Sequence, residues 1–518
     1  MAALAIFLII LSSSLCLYLL SNLFKFLHRV WWTPTRIQHL MTSQGIRGPS
    51  YRFIYGNAKE ITKMRNLSMS RPMKDLSHDT YSRIQPHIHS WTKMYGTSFL
   101  YWLGTRAMLL ISEPELVREI LNNRDKFYPK AEVHALIRKL IGDGVAASEG
   151  EKWSKMRKLA NYAFNVETLK NMIPAMIASA QMVLERWKNH QGKEIEVVEE
   201  FKLLTSDAIS RAAFGSSYEE GKKIFDMLTK LTLLVGRNAF KIKLPGIGQI
   251  WKTGDEIEAE KLEKQIENSI LQIIKKREDE VMTGDVENYG DDFLGILLKA
   301  YHDDDQSKRI SLKDVIDECR TLYVAGQETT NVLLSWAVLL LAIHSEWQEE
   351  ARNEVFKILG HQSPNADGIA KLKIMGMIIN ETLRLYPPVT GFVRKVDRKV
   401  RLGKLTLPAD VNLQISTLLV HHDPLTWGED VHLFKPERFS EGLAKATNNN
   451  KAAYLPFGLG PRTCIGFNFA ITEAKIALSM ILQRYAITHS PTYVHSPVQN
   501  LTIRPRHGIQ VVLNPLQN

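Results

Sequence analysis

The apolar pattern of the chain begins with an uninterrupted run. Residues 1–24 carry no charged side chain, and Ile6, Phe7, Leu8, Ile9, Ile10, Leu11, Leu15, Leu17, Leu19 and Leu20 dominate them. As a helix, this run is long enough to cross a bilayer core of about 30 Å. Ser12, Ser13 and Ser14 favour a cleaved signal peptide, but the basic stretch that opens such peptides is missing. Lys25, His28 and Arg29 follow the run, and Trp31 and Trp32 follow them, an order that predicts a retained anchor with the rest of the chain on the cytoplasmic side. Residues 25–57 read as a linker, first basic and aromatic, then rich in turn formers from Gln44 to Asn57. Beyond it the periodicity alternates between short strands and long helices. Residues 99–104 and 107–111 read as two strands around a turn, and Pro114 opens a helix ending near Leu121. Gly142-Asp143-Gly144-Val145 breaks the pattern before a helix with Trp153 and Arg157 on one face. Residues 185–276 are mostly amphipathic helix, interrupted by the apolar and basic connector 243–248; residues 283–290 read as a flexible connection. A long helix is predicted over 311–344 with Ser311 as its cap. An apolar helix around Ile374 to Leu385 is stopped by Pro387-Pro388, and the tail 491–513 alternates as a hairpin does, with His495-Ser496-Pro497 turning back toward the interior.

Composition supports one large domain. The 518 residues contain no low-complexity tract or fixed-period repeat, and 45% of them are hydrophobic, enough for a sizeable core. The expected organisation is an anchor (1–24), a linker (25–57) and a mainly α-helical domain with small β-sheets (58–518). A balance of 66 basic against 55 acidic residues leaves +11, which suits an anionic membrane surface or an acidic protein partner. The basic residues are spread along the chain with no compact arginine-rich arm, so no nucleic-acid partner is expected. Cys16, Cys319 and Cys464 are too few and too scattered for a disulfide framework or a zinc site. The sequons at Asn66, Asn380 and Asn500 are expected to go unused.

Three stretches carry candidate chemistry. Residues 457–466, Phe-Gly-Leu-Gly-Pro-Arg-Thr-Cys-Ile-Gly, set Cys464 in a Gly- and Pro-rich turn just before a helix-like run. Unpaired amides and the positive end of a helix dipole favour thiolate over thiol there, and a thiolate can ligate haem iron. The plain alternative is a buried structural cysteine. The long helix contains Ala325-Gly326-Gln327-Glu328-Thr329-Thr330. A mid-helix glycine costs about 1 kcal/mol against alanine, so a need for space is inferred. The Thr329 hydroxyl is placed to bond the Ala325 carbonyl, opening a polar notch that holds water beside Glu328. Taken alone, a packing glycine flanked by tolerated polar residues explains the motif as well. Glu381 and Arg384 stand three apart in an apolar helix, a setting in which the guanidinium needs a further partner. His421, His422 and His432 invite a metal reading, but packing and hydrogen bonding are the expected roles.

The Phe-x-x-Gly-x-Arg-x-Cys-x-Gly spacing at 457–466, Ala-Gly-x-Glu-Thr at 325–329, Glu-x-x-Arg at 381–384 and Pro-Glu-Arg-Phe at 436–439 together resemble the cytochrome P450 monooxygenases. The resemblance covers essentially the whole chain and is strongest to the plant clan whose members oxidise brassinosteroids, gibberellins, cytokinins and terpenoids. It implies a P450 fold behind a single transmembrane helix, with heme b as cofactor and Cys464 as the ligand to its iron. It implies further that Arg462, Trp153, Arg157 and Arg394 reach the haem propionates, that Phe457 covers the sulfur side, and that Gly460 lets backbone approach the macrocycle. Met156 stands where the family often has His, which removes one propionate contact. Thr329 and Glu328 are implied in proton delivery for oxygen activation. Glu381, Arg384 and Arg438 are implied as a structural clamp, residues 389–393 as pocket lining, and 243–248 as a membrane-facing loop over a substrate channel. No glycine loop for a flavin or nicotinamide occurs in the chain. Electrons from NADPH are therefore expected through a membrane-bound NADPH–cytochrome P450 reductase, with O2 as co-substrate and a lipophilic small molecule as substrate. The expected location is the endoplasmic reticulum membrane, with the catalytic domain cytosolic. A reductase-independent haem-thiolate isomerase or dehydratase acting on a peroxide, and a non-catalytic haem- or lipid-binding membrane protein, are the alternatives.

Overall fold

In a computed structural model that describes residues 2–123, 125–242 and 252–516, the apolar N-terminal run forms the helix Ala2–Leu27. It continues without a break through a π-turn, His28–Trp32, into a second helical segment, Thr33–Thr42. Among the described residues this is the one helix long and apolar enough to cross a membrane. Helix thus extends well past Phe24, where the sequence suggests a linker. The physical reason is that no glycine interrupts residues 25–42, and Pro34 falls in the first turn of its segment, where its missing N–H is tolerated. The two halves differ in burial. The apolar side chains of the first half are exposed, whereas Val30, Ile37 and Met41 are buried. The Tyr51 hydroxyl donates to the Val30 carbonyl, and Gln44 exchanges two hydrogen bonds with the backbone of Thr406, of 2.6 and 3.0 Å.

The two predicted strands form as Leu100–Leu103 and Arg106–Leu110, antiparallel, with Trp102 opposite Ala107. The second runs parallel to Asn412–Ser416, which pairs antiparallel with Gly391–Lys395, completing a four-stranded sheet. The tail supplies two further pairings. Pro497–Gln499 pairs with Ile503–Pro505, and Gln510–Pro515 lies between Glu194–Glu196 and Tyr485–His489. His495-Ser496-Pro497 does not enter the interior cavity described below. Arg83 donates to the Ser496 hydroxyl (2.7 Å) and the Pro497 carbonyl (2.9 Å), and the Met73 amide to the His495 carbonyl (2.9 Å), so this turn packs against residues 73–83. The connector 243–248 lies outside the described residues.

The long helix, Leu312–Ile343, runs almost wholly buried through the core. Ser311 caps it in a reciprocal box with Asp314. Around it pack the helices Val197–Phe214, Lys373–Leu385 and Phe467–Leu482. The Glu381–Arg384 pair is fully buried, joined by two hydrogen bonds of 2.7 and 2.8 Å. Arg384 also donates to the carbonyls of His421 (3.0 Å) and Leu433 (3.3 Å). Arg438 brings its Nε to 3.5 Å from Glu381 and spends its other donors on Trp427 O and Asp430, all at 2.6 Å. Glu381 and Arg384, removed from water, thus satisfy each other and the backbone, the condition under which such a pair is tolerable, while Arg438 Nε adds charge without a hydrogen bond.

The three histidines of the metal reading are absorbed by this neighbourhood. His421 accepts from the Leu455 amide at Nε2 (2.8 Å), which leaves its Nδ1–H for the Arg384 carbonyl (3.2 Å). Burial, and next Arg384, push its pKa down to about 3, so it is neutral. His422 contacts the Leu385 carbonyl (3.3 Å), and His432 lies 3.9 Å from Asp79. Among the described residues no cluster of three or more His, Cys, Asp or Glu is placed to hold a metal ion.

The split character of the N-terminal helix sets a test. Deleting residues 2–27 is expected to leave the chemical-unfolding midpoint of the domain unchanged. Deleting through Thr42 also removes Val30, Ile37 and Met41 and is expected to cost up to about 4 kcal/mol. Equal midpoints for the two truncations would show that the docked half contributes nothing.

Candidate active site

Between the long helix and the loop 457–466 lies a cavity of about 270 Å³. Phe164, Ile209, Leu333, Leu383, Val389 and Phe392 give it an apolar wall, and Ala325, Gly326, Thr329 and Thr330 present one face of the long helix to it. Cys464, Phe457 and Arg462 border it from the loop. The loop closes on itself, with the Cys464 amide donating to the Phe457 carbonyl (2.9 Å). Phe457 stands edge-on to Phe467, ring centres 4.7 Å apart, at the start of the helix Phe467–Leu482.

The Cys464 side chain borders the cavity and is exposed there. Burial raises its pKa above the ordinary thiol value; the Gly466 amide and the Arg157 charge pull it back only in part. The bias toward thiolate expected from the helix start is therefore outweighed by desolvation. A metal cation at the sulfur supplies the missing compensation, because coordination deprotonates a thiol outright.

Gly460 has a left-handed backbone, φ +78°, and a Cβ there would fall 2.5 Å from the Leu121 carbonyl oxygen and 3.0 Å from Asn122 Cα. The glycine is thus demanded by the end of the helix Pro114–Asn122, a different reason from approach to a macrocycle, and Gly460 is not among the residues that line the cavity.

At one edge of the cavity the charge is strongly positive. The Arg462 guanidinium lies 4.4 Å over the Trp153 ring, pairs with Glu149 (2.7 Å) and donates to the Ser148 carbonyl (3.0 Å). Arg157, on the helix Gly150–Ala163, donates to the Thr463 carbonyl (2.6 Å). Arg394 is buried, and burial with repulsion from Arg462 lowers its pKa to about 10. Lys130 bridges to Arg394 in backbone register, and burial, Arg462 and Arg394 bring it down to about 8. Among the described residues Glu149 is the carboxylate acting on Lys130, Arg394 and Arg462. So large an excess of crowded, half-dehydrated cations suits a ligand bearing carboxylates. The donor set therefore fits haem: a thiol facing an apolar slot, and cations for two propionates. Lys130 was not legible in the sequence, because its neighbours are distant and Tyr128-Pro129-Lys130 carries no signature. Met156 is buried in the core.

The long helix divides its motif between faces. Thr329 Oγ donates to the Ala325 carbonyl (2.7 Å), the predicted notch. A Cβ on Gly326 would lie 2.6 Å from Ile209 Cγ1, so close packing against the helix Val197–Phe214 demands this glycine. Thr205 on that helix donates to the Gln327 carbonyl (3.0 Å). Glu328 does not line the cavity. Its carboxylate is buried and accepts from Thr502 Oγ (2.5 Å) and from Arg504 through Nε (2.6 Å) and Nη2. A second carboxyl, unremarked in the sequence, sits behind the wall: Glu473 faces Thr330 without a well-formed hydrogen bond, and burial raises its pKa well above the ordinary carboxyl value. The fold thus brings Cys464, Arg462, Phe457 and Thr329 to one cavity, gathers Trp153, Arg157 and Arg394 around Arg462, and sets Glu328 and Gly460 outside.

Comparison with known proteins places this architecture. Residues 75–513 match the sequence profile of the cytochrome P450 family. Cytochrome P450 CYP749A22 of Panax ginseng is 57% identical over 98% of this chain and 97% of its own length. Secologanin synthase 1 of Catharanthus roseus is 39% identical over 94% of both chains. Among solved structures, the retinoic acid-bound cyanobacterial CYP120A1 superposes with a TM-score of 0.73 at 26% identity, over 85% of this chain and 96% of that one.

The Glu328 contacts can be tested directly. Arg504→Leu strands a buried carboxylate and is expected to cost about 3 kcal/mol in urea unfolding. Adding Glu328→Gln should recover most of that loss. Fully additive losses would show that the two side chains do not form a pair.

Proposed function

The chain belongs to the cytochrome P450 family and is a haem monooxygenase, and from that premise we propose that it hydroxylates C–H bonds of a lipophilic small molecule with O2 and electrons from NADPH. The observation that carries this reading is that Cys464 and the Thr329 notch border one apolar cavity. When bound, haem with a cysteine thiolate supplies the chemistry of dioxygen activation, the thiolate favouring O–O cleavage.

The residues of the chain do the rest. Cys464 holds the metal. Arg462, Arg157 and Arg394 neutralise the cofactor's carboxylates, with Trp153 stacking under Arg462 and Phe457 shielding the sulfur. Ile209, Leu333, Val389 and Phe392 exclude water and orient an apolar substrate by shape, since none of them offers a charge or hydrogen bond. With its own hydrogen spent on Ala325, the Thr329 oxygen is left to accept one, and so to hold a water or pass a proton at the cavity wall. Glu328, one residue back, is held by Thr502 and Arg504 and reaches the cavity only by leaving them.

The absence of a nucleotide-binding glycine loop from the sequence supports a separate donor, a membrane-bound NADPH–cytochrome P450 reductase, which the net charge of +11 would attract. The N-terminal apolar helix supports a membrane anchor, here assigned to the endoplasmic reticulum with the catalytic domain in the cytosol. A lipophilic substrate agrees with the retinoic acid held by the cyanobacterial relative. Plant steroid, gibberellin and terpenoid skeletons are the classes to screen first.

The test is reductase-dependent turnover. Ligands that displace water from the haem iron, read as a Soret shift, should be oxygenated with NADPH and reductase. Thr329→Ala should keep consuming NADPH while product per NADPH falls about tenfold or more and peroxide rises. Unchanged coupling removes Thr329 from proton handling. Turnover of a hydroperoxide without reductase would instead identify an isomerase or dehydratase.

A further inference from the structure

Every polar or aromatic partner of Arg462 described above lies between residues 148 and 153: the Ser148 carbonyl, the Glu149 carboxylate and the Trp153 ring. The segment just before them is gripped by the long helix. Thr321 Oγ donates to the Ile141 carbonyl (2.6 Å), at the end of the helix Ala135–Ile141. The Val145 amide donates to Glu318 Oε1 (2.5 Å). Two glycines in this segment are tied to the same face. A Cβ on Gly142, φ +72°, would fall 2.9 Å from the Asp317 carbonyl, and one on Gly144 would fall 2.5 Å from Thr321 Oγ and 3.0 Å from the Glu318 carboxyl. From Gly144 the chain turns directly toward Arg462, the amides of Ala147 and Ser148 both donating to the Gly144 carbonyl (2.9 Å each).

We propose that Asp317, Glu318 and Thr321 form a clamp that fixes the segment 141–149 and thereby positions Arg462 against a haem carboxylate. This rests on the reading of Arg462 as a propionate partner. The clamp residues do not line the cavity and act through the segment. They join the helix that handles oxygen to the edge that holds the cofactor, so that a shift of one moves the other. The chemistry of Glu318 suits a fixed acceptor. It is buried, and desolvation, with Asp317 and Asp314 adding and Lys152 and the Val145 amide opposing, brings its pKa up to about 8. A neutral acid at pH 7 accepts from Val145 without importing a charge, so Gln is its close mimic.

The experiment is a double-mutant cycle on the rate at which the full-length holoprotein loses haem to excess apomyoglobin, a readout independent of turnover. Arg462→Leu is expected to accelerate loss about tenfold, Glu318→Leu about fivefold, and the double variant to match Arg462→Leu within about twofold, because both act through one contact. Glu318→Gln should stay within about twofold of the wild-type rate, since it keeps the acceptor. Should Glu318→Leu not accumulate as folded holoprotein, Gly144→Ala, which drives the segment off Thr321, replaces it in the same cycle with the same expectation. A wild-type rate in Glu318→Leu, or a double-variant rate equal to the product of the single effects, overturns the clamp while leaving Arg462 as a haem partner. A wild-type rate in Arg462→Leu overturns that assignment and the clamp with it.

Discussion

Burying charge in an apolar interior is the constraint on which this structure turns. A carboxylate or guanidinium taken out of water must find partners, and a thiol taken out of water stays protonated unless a cation replaces the solvent. Glu381 and Arg384 meet the requirement between themselves, with His421 O and Leu433 O completing the donors. Glu328 meets it through Arg504 and Thr502. At the cavity edge the requirement is met incompletely: Arg394, Arg462 and Lys130 crowd together over Glu149, and Cys464 is held protonated by its surroundings. One ligand, a metal flanked by carboxylates, corrects both imbalances. That is why the site reads as a haem site without any haem geometry being invoked.

The long helix connects these solutions because successive residues point about 100° apart. Gly326 meets Ile209, Glu328 meets Arg504, Thr329 meets the cavity, and earlier in the helix Glu318 and Thr321 meet the segment leading to Arg462. The Thr329 notch, the cationic cavity edge and the C-terminal hairpin are therefore mechanically joined by one rigid element. Substitutions on its different faces should separate chemistry from cofactor retention.

Features set by local sequence were legible before the structure. The Ser311 cap and the Thr329-to-Ala325 notch depend on neighbours within a few positions, so local sequence carries them. What depends on distant partners was not. Gly326 and Gly460 both looked like concessions to a cofactor; the demand comes from Ile209 and from the Leu121 carbonyl, which no spacing rule reaches. Glu328 looked free to serve the cavity because its partners, Thr502 and Arg504, stand 174 and 176 residues away. Lys130 joins Arg394 only through a long-range bridge. The N-terminal helix shows the same limit, since hydropathy marks the span but not how far helix continues beyond it.

The central claim is that Cys464 is the metal ligand and that its sulfur is a thiolate only when the metal is bound. The carbon monoxide difference spectrum of the reduced holoprotein tests it most directly. Wild type should show the red-shifted Soret band of thiolate-ligated haem. Cys464→Ser should keep the helical far-ultraviolet spectrum and lose that band. Retention of the thiolate-type band in the variant would contradict the account, because among the described residues no other sulfur borders the cavity.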